Sequence, residues 1–457
     1  MSECLRSLGL DVGTTTTQLI LSELEIHNRA SSFAVPEMEI SDRKILYKSP
    51  VRFTPLLNEV HVDGATIRAI VTEEYENAGI SRGDIDTGAI IITGETARKE
   101  NAQAVLNALS DFAGEFVVAT AGPDLESVLA AKGSGAVDFS EKTGETVLHY
   151  DIGGGTSNWA LIEAGHITET GCLNIGGRLL KFGKSGALTY VSPVLNGICG
   201  FRVGDSPGEA EVEKLCKLLA EALEMSAGLR EPTELLRRLT TADALGENPR
   251  PAEGTVFSFS GGVADCIDTR HSWQQFGDMG PLLGRAIRES RLCREGYTLG
   301  RETIRATVIG AGCHSAQLSG STVFLRGTAL PLKNLPVALI SPAEQQSPEL
   351  PQIIARRLNT LDTDGVLALP GLPSPGYAQV VTLAEKLLAG IGDRPVRIAL
   401  GADMAKALGQ ILALKLPESR PVLCIDRVKF TEGSYLDIGP PVGPAVPIVV
   451  KTLVLAK

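Results

Sequence analysis

Two glycine- and threonine-rich turns, each placed between apolar strands, decide the fold of this chain. They lie in the stretches LGLDVGTTTTQLIL (residues 8–21) and HYDIGGGTSNWALI (residues 149–162). When Asp11 is aligned with Asp151, both stretches have a glycine two residues later and a threonine five residues later. Glycine allows the backbone to turn sharply, so each stretch predicts a β-hairpin. The repeat, about 140 residues apart, predicts duplicated halves that each supply one wall of a cleft.

These turns have the chemistry of a phosphate-binding site. Successive backbone N–H groups in such a turn form a concave site for anions, and hydroxyl side chains add donors. The predicted phosphate-binding residues are Gly13, Thr14, Thr15, Thr16, Gly153, Gly154, Gly155, Thr156 and Ser157. Asp11 and Asp151 would repel a phosphate directly, but they suit a Mg²⁺ ion that keeps most of its waters between the carboxylates and the phosphates. One such turn is typical of an ordinary hairpin, whereas two matched copies favour nucleotide phosphate binding.

Strands and helices alternate along the rest of the chain, which predicts an α/β protein with mixed sheets. Helical spacing of apolar residues predicts helices over Ile67–Ala78, Ala97–Phe112, Ala121–Lys132, Ala210–Ala227 and Val380–Ile391. Short apolar runs predict strands at Ala89–Thr93, Phe116–Ala119, Thr255–Phe259, Ala306–Ile309, Val396–Leu400 and Val422–Ile425. Residues 22–70 are expected to alternate short strands with polar loops. The composition becomes richer in proline near residue 330, where a separate lobe is expected to begin.

Composition excludes several classes of function. The chain has 457 residues, 43% of them hydrophobic and 21% charged, which argues against a disordered protein. Its net charge of −11 and the lack of any Lys/Arg cluster disfavour a nucleic-acid or membrane partner. The eight cysteines form no C-x-x-C pair, and the first residues do not resemble a secretion signal. We therefore expect a cytoplasmic protein with reduced thiols.

The two hairpins resemble the phosphate-1 and phosphate-2 loops of the actin, heat-shock chaperone and sugar-kinase ATPase superfamily. GPDLESVLAAKGSG (residues 122–135) is similar to the first connecting helix of that superfamily, and Gly261-Gly262 to its adenosine-binding turn. Gly310-Ala311-Gly312 is the alternative for the adenine contact. The resemblance implies ATP and Mg²⁺ as cofactors. It also implies a two-lobed actin-like (ribonuclease-H-like) fold, in which duplicated mixed sheets flank a nucleotide cleft.

A closer resemblance extends over nearly the whole chain. The strings ITGETARKENA (92–102), FSGGVADCI (259–267), VIGAGCHSAQLSGST (308–322) and LDIGPPVGPAVPIVVKTLVL (436–455) resemble the ethanolamine ammonia-lyase reactivating factors of the EutA family. This resemblance implies an ATP-dependent chaperone that releases damaged cobalamin from inactivated ethanolamine ammonia-lyase, so that intact adenosylcobalamin can rebind. It also suggests association with a bacterial microcompartment. A small-molecule kinase or another ATPase scaffold of the superfamily is the alternative, and an oligomer or a small partner subunit is left open.

The predicted domains follow from the same comparison. Residues 1–145 are expected to form the first actin-like lobe and residues 146–330 the second. Residues 331–457 are expected to form an additional α/β lobe packed on this core.

Hydrolysis of ATP requires a group that orients or activates the attacking water. Asp124 and Glu126 stand at the start of the connecting helix, and Glu95 follows a buried strand. All three are candidates for this role, and Glu126 is preferred. Each carboxylate could instead satisfy free N–H groups at a helix N-terminus.

Overall fold

The fold was analysed in a computed structural model of the chain. The residues that it describes are 3–13, 16–28, 38–58, 61–93, 96, 101, 105, 109, 117–120, 123–241, 254–294, 296–314, 317–318, 323–361, 364–428, 430, 434–439, 441 and 446–452.

The first sheet is formed by the N-terminal part of the chain. Its strands are β1 (Glu3–Val12), β2 (Thr16–Asn28), β3 (Met38–Lys48), β4 (Arg52–Phe53), β5 (Thr87–Ile92) and β6 (Val117–Thr120). The order is β3-β2-β1-β5-β6, and β4 pairs with the start of β2. Strands β1, β2 and β3 are antiparallel, whereas β1, β5 and β6 are parallel. Helix α1 (Gly64–Ala78) packs against this sheet.

The second sheet repeats the topology of the first. Its strands are β7 (Val147–Ile152), β8 (Ser157–Glu163), β9 (His166–Leu173), β12 (Val256–Ser260) and β13 (Tyr297–Leu299). They lie in the order β9-β8-β7-β12-β13, with β7, β8 and β9 antiparallel and β7, β12 and β13 parallel. A small hairpin, β10 (Leu180–Phe182) and β11 (Leu188–Val191), follows β9. The predicted two-lobed actin-like fold with duplicated mixed sheets is therefore confirmed.

Helices cover the second sheet and connect the two lobes. They are α2 (Pro123–Gly133), α3 (Ala136–Thr143), α4 (Glu209–Ser226), α5 (Glu234–Leu239), α6 (Asp265–Asp268), α7 (Gly280–Glu289) and α8 (Ala306–His314). Every residue of the central strand β7 is buried, as expected for a strand that is covered on both faces. In the described part of the chain, no helix is both long and apolar enough to cross a membrane.

A third, mixed sheet follows. Its strands are β14 (Gln317–Leu318), β15 (Phe324–Arg326), β16 (Leu332–Leu339), β17 (Val366–Leu369), β18 (Val396–Leu400), β19 (Val422–Ile425), β20 (Ser434–Ile438) and β21 (Pro447–Thr452). Its helices are α9 (Pro342–Gln346), α10 (Leu350–Asn359), α11 (Tyr377–Ile391) and α12 (Ala405–Lys415). The strand order is β14-β21-β20-β16-β17-β18-β19-β15, so two short strands from before residue 331 belong to this sheet. The division of the chain at residues 145 and 330 remains a prediction.

Two predictions about local structure are wrong. Residues 22–70 begin with the long strands β2 and β3 instead of short ones. Residues 306–309, predicted as a strand, begin helix α8. A short apolar run that contains β-branched residues does not distinguish a buried strand from a buried helix. The predicted helix over Ala97–Phe112 lies almost entirely outside the described residues.

Glycines allow α8 to pack closely against α2 and β1. A Cβ atom on Gly310 would overlap the carbonyl oxygen of Leu129, and one on Gly133 would overlap that of Ala306. A Cβ atom on Gly9 would meet the backbone of α8 in the same way. Helix α2 contacts the second sheet, while α8 contacts the first. The two helices therefore join the lobes behind the cleft.

We predict that Gly310→Ala lowers the free energy of unfolding by about 1–2 kcal/mol. Alanine is favoured over glycine within a helix by about 1 kcal/mol, but the overlap with the Leu129 backbone is expected to cost about 2–3 kcal/mol, the upper part of the range for overpacked sites. Chemical denaturation of the full chain measures the difference. Gly200→Ala is the control, because a Cβ atom there meets open space. Unchanged or increased stability of Gly310→Ala would contradict the packing described here.

Candidate functional site

The two acidic turns face a common cleft between the first and second sheets. In each turn the glycine N–H donates to the threonine carbonyl oxygen, from Gly13 to Thr16 and from Gly153 to Thr156, both at 2.9 Å. The cleft contains about 670 Å³ of empty space, part of it open to solvent. It is lined by Asp11, Gly13, Thr16, Gln18, Thr93, Glu126, Asp151, Gly153, Gly154, Gly155, Thr156, Asn158, Gly261, Gly262, Ile304 and Thr307.

Neighbouring hydroxyl groups fix the backbone of the first turn. The Gly13 carbonyl accepts hydrogen bonds from Thr54 Oγ1 at 2.7 Å and from Thr96 Oγ1 at 3.0 Å. Thr54 Oγ1 in turn lies 3.2 Å from Thr17 Oγ1. These hydroxyls bond the Gly13 carbonyl oxygen, and the Gly13 N–H donates to Thr16, so both backbone polar groups of this glycine are fixed. Thr14 and Thr15 lie outside the described residues.

A second glycine pair supports the other turn from behind. The Gly177 N–H donates to the Gly153 carbonyl at 3.0 Å, and the Arg178 N–H donates to that of Gly154 at 2.7 Å. A Cβ atom on Gly176 would overlap the Gly154 backbone, so this close approach requires glycine. Ser157 is placed differently from the prediction, because its buried hydroxyl donates to the Ile175 carbonyl at 2.8 Å and does not line the cleft.

The two aspartates predicted as metal ligands face each other across the cleft. Burial is the main reason that the pKa of Asp11 is raised to about 7. The hydrogen bond from Thr93 Oγ1 at 2.8 Å lowers this pKa, and the charge of Asp151 raises it. Burial also raises the pKa of Asp151, although the hydroxyls of Ser260 and Thr307 oppose this effect. Both groups therefore resist ionisation unless a cation is close to them.

The residues present fit a magnesium ion. The described residues contain no group of three or more His, Cys, Asp and Glu side chains that could enclose a metal. The protein thus offers two carboxylates and leaves the other coordination positions to water and phosphate oxygens. Mg²⁺ is usually bound in this way, because it loses its waters reluctantly.

A buried hydrogen-bond chain orients Asp151. Ser260 Oγ donates to Asp151 Oδ1 at 2.5 Å, so this hydroxyl must accept the bond from His149 Nε2 at 2.9 Å. His149 Nδ1 then accepts a hydrogen bond from Ser258 Oγ at 3.1 Å. Burial lowers the pKa of His149 to about 3, so the ring is neutral. The pairing of β12 with β7 places Ser258 opposite His149 and Ser260 opposite Asp151.

Of the three candidates for positioning water, only Glu126 lines the cleft within the described chain. Its buried carboxylate accepts a hydrogen bond from Asn158 Nδ2 at 2.8 Å. The carboxylate of Asp124 does not line the cleft and accepts a hydrogen bond from Thr170 Oγ1 at 2.6 Å. Glu95 lies outside the described residues.

The glycine turn after β12 also reaches the cleft. Gly261 has a φ of +86°, and a Cβ atom there would overlap the Ile152 backbone, so glycine is required. Gly261 and Gly262 both line the cleft. Gly310 and Gly312, the alternative for the adenine contact, instead pack against Leu129 and Gly9 and are absent from the lining.

Sequence reasoning did not identify two carboxamide side chains in the cleft. Gln18 pairs with Asp11 across the β1–β2 hairpin, and Asn158 pairs with Asp151 across β7–β8. Each stands seven residues after its aspartate in the repeat. Extending the alignment of the two hairpins by two positions beyond the threonine would have found both.

The chain is similar to known proteins over nearly its whole length. Residues 3–456 match the family "Ethanolamine utilisation protein EutA". The chain is 39% identical over 468 residues to the ethanolamine ammonia-lyase reactivase EutA of Salmonella typhimurium, covering 98% of both chains. It is 40% identical over 471 residues to the protein of that name from Escherichia coli, again covering 98% of both. Among solved structures, a Ppx/GppA family member from Aquifex aeolicus matches 67% of this chain and 97% of its own at 14% identity, with a TM-score of 0.42.

We predict that Asp11→Asn stabilises the metal-free protein more at pH 8 than at pH 5. An unfolded aspartate has a pKa near 4, and the folded value is about 7, so folded Asp11 binds a proton that the unfolded chain releases in this range. Wild-type stability therefore falls as pH rises from about 4 to 7, by at most about 4 kcal/mol from this residue. Asparagine cannot ionise, so the free energy of unfolding of the variant does not show this fall as pH rises.

Denaturation in EDTA at the two pH values tests this prediction. Asp63→Asn is the control, because hydrogen bonds from Thr66 lower the pKa of Asp63, and loss of its charge cannot produce a gain that grows with pH. An Asp11→Asn effect that is equal at both pH values, or larger at pH 5, would contradict the assignment.

Proposed function

The chain belongs to the EutA family, and we propose that it is an ATP-dependent reactivase of ethanolamine ammonia-lyase. In this proposal it binds ATP with Mg²⁺ in the cleft and releases damaged cobalamin from the inactivated lyase, so that intact adenosylcobalamin can rebind. The observation that carries the ATP-binding part is the matched pair of acidic turns, one from each sheet, on a common cleft. The target enzyme is inferred from the relatives, which are named for reactivating this lyase. A location in the cytoplasm or in a bacterial microcompartment is part of the same proposal.

The lining residues suggest how the nucleotide is held. The N–H groups of the two turns would donate to the phosphates, together with the hydroxyls of Thr16 and Thr156. Gly261 and Gly262 would let the adenosine approach the backbone. Asp11 and Asp151 would hold the hydrated Mg²⁺ ion, which when bound neutralises charge on the phosphate oxygens.

Glu126 is the residue best placed to orient the attacking water. Its carboxylate is buried in the cleft wall, and the bond from Asn158 Nδ2 at 2.8 Å restricts its rotation. Such a fixed acceptor suits a water that must approach a phosphate from one direction. Asp124 is the weaker candidate, since Thr170 holds its carboxylate outside the lining.

Closure of the cleft would couple ATP to the partner enzyme. Contacts already cross the cleft, where Gln18 Nε2 donates to the Ile304 carbonyl and Arg305 donates to that of Ser49, both at 3.1 Å. The Arg178 guanidinium also lies 4.9 Å from the centre of the Phe53 ring. ATP and ADP would favour different degrees of closure. Changing the population ratio of two states of a partner from 1:99 to 99:1 requires a difference in binding free energy of about 5.5 kcal/mol between those states.

We predict that Glu126→Gln reduces ATP hydrolysis by about 10²–10³-fold while ATP binding is retained, because the amide cannot accept a proton from the water. The same variant should fail to restore cyanocobalamin-inactivated lyase when adenosylcobalamin, ATP and Mg²⁺ are supplied. The wild-type protein should restore its activity.

Two comparison variants sharpen this test. Glu418→Gln removes an exposed carboxylate between α12 and β19 and should leave hydrolysis unchanged. Asp124→Asn distinguishes the two helix carboxylates, and we expect a much smaller effect than for Glu126→Gln. Failure of the wild-type protein to reactivate the lyase would contradict the proposed function. A larger effect at Asp124 would contradict only the assignment of Glu126.

A further inference from the structure

We propose that Gln18 and Asn158 form an outer-sphere metal site, in which their carbonyl oxygens accept hydrogen bonds from water molecules retained by the divalent cation. This inference rests on the proposed function, because it requires a cation between Asp11 and Asp151. It adds two ligand-binding side chains that the two acidic turns alone do not supply.

The orientation of both carboxamide groups is fixed by acceptors. Gln18 Nε2 donates to the Ile304 carbonyl at 3.1 Å and to Thr16 Oγ1 at 3.3 Å. Asn158 Nδ2 donates to Glu126 Oε2 at 2.8 Å. Rotating either amide by 180° would place a carbonyl oxygen against a carbonyl or carboxylate oxygen. The oxygen and nitrogen positions are therefore determined by the hydrogen-bond network.

The two carbonyl oxygens lack a donor. Gln18 and Asn158 are each 3% exposed and line the cleft. Within the described part of the chain, Gln18 Oε1 and Asn158 Oδ1 have no hydrogen-bond partner. A buried oxygen without a donor costs about 1–3 kcal/mol, so an ordered water or a ligand is expected beside each of them.

The repeat places each carboxamide residue opposite an aspartate proposed to hold the metal. Gln18 lies directly opposite Asp11 in the β1–β2 ladder, and Asn158 lies opposite Asp151 in β7–β8. Side chains at directly opposite positions have Cβ atoms about 4.5–5.5 Å apart on the same face of the sheet. The cleft therefore has a carboxylate and a carboxamide oxygen on each wall, related by the internal repeat.

This set of groups suits the hydration shell of a cation. All four cleft-lining side chains carry acceptor oxygens, and a phosphate, which also offers only acceptors, cannot donate to them. Waters bound to Mg²⁺ point their hydrogens outward and act as donors. Because Mg²⁺ keeps several waters, a ring of acceptors one water away from the ion binds it without requiring dehydration.

The test compares Mg²⁺ affinity in the ADP complex of the full chain. Gln18→Met keeps the length of the side chain but removes the carbonyl oxygen. Asn158→Leu likewise keeps the size of the asparagine side chain and removes its carbonyl oxygen. We expect each to weaken Mg²⁺ binding by about tenfold, the lower end of the effect seen for groups one shell outside a metal. ADP affinity measured in EDTA should change by much less than the affinity for Mg²⁺. Gln275→Met, at an exposed glutamine, is the matched control.

Gln18→Glu distinguishes the effect of losing the carbonyl oxygen from the effect of losing the amide donor. It keeps an acceptor but loses the donor to Ile304, so Mg²⁺ affinity should return at least to the wild-type level. If Gln18→Glu binds Mg²⁺ as weakly as Gln18→Met, the donor bond matters and the proposal is wrong. Thermal denaturation of every variant confirms that the comparison is made between folded proteins.

A count of water ligands on Mn²⁺ in place of Mg²⁺ distinguishes outer-sphere from direct binding. Pulsed electron paramagnetic resonance in D₂O should give the same count in wild type and Gln18→Met. One additional water in the variant would mean that the oxygen binds the metal directly and would overturn the proposal. If wild-type ADP binding does not depend on Mg²⁺, the metal part of the proposed function fails. If it does depend on Mg²⁺ but Gln18→Met and Asn158→Leu have normal affinity, only the present inference fails.

Discussion

The desolvation of two carboxylates at one cleft is the constraint on which the rest of this structure depends. Asp11 and Asp151 each lie one residue before the end of a strand, and the two strands belong to different sheets. Both residues face one cleft, where burial raises the pKa of both carboxyl groups. Placing two like charges in such a site is unfavourable unless a cation lies between them. Hydroxyl donors from Thr93 and Ser260 partly stabilise the ionised forms. A cation between these carboxylates would therefore stabilise their ionised forms, and the same cation could also contact an anion.

The duplicated topology produces this arrangement. The two sheets have the same strand order, so each presents its first hairpin to the same cleft. Helices α2 and α8 hold the sheets together from behind, and glycines at their contact bring the backbones close. Residues that close the front of the cleft come from both halves, as Gln18 and Ile304 show. A change in the distance between the two walls would therefore alter the contacts of a nucleotide that binds both turns.

Much of the fold and part of the site could be predicted from the sequence. The repeat around Asp11 and Asp151 predicted the duplicated sheets, because the spacing of its polar and glycine residues follows from local turn geometry. The helical nature of residues 306–309 could not be predicted, since a short apolar run suits a buried strand and a buried helix equally well. The Ser260–Asp151 contact depends on the pairing of two strands that are distant in sequence. Asn158 was missed although the repeat contained the signal.

The most direct test of the central claim is a crystal structure of the full chain with a non-hydrolysable ATP analogue and Mn²⁺. Anomalous scattering locates the ion independently of the protein density. The account predicts one Mn²⁺ peak between the Asp11 and Asp151 carboxylates, with phosphates contacting the backbone of both turns. An ion bound away from Asp151, or phosphates that contact neither turn, would contradict it.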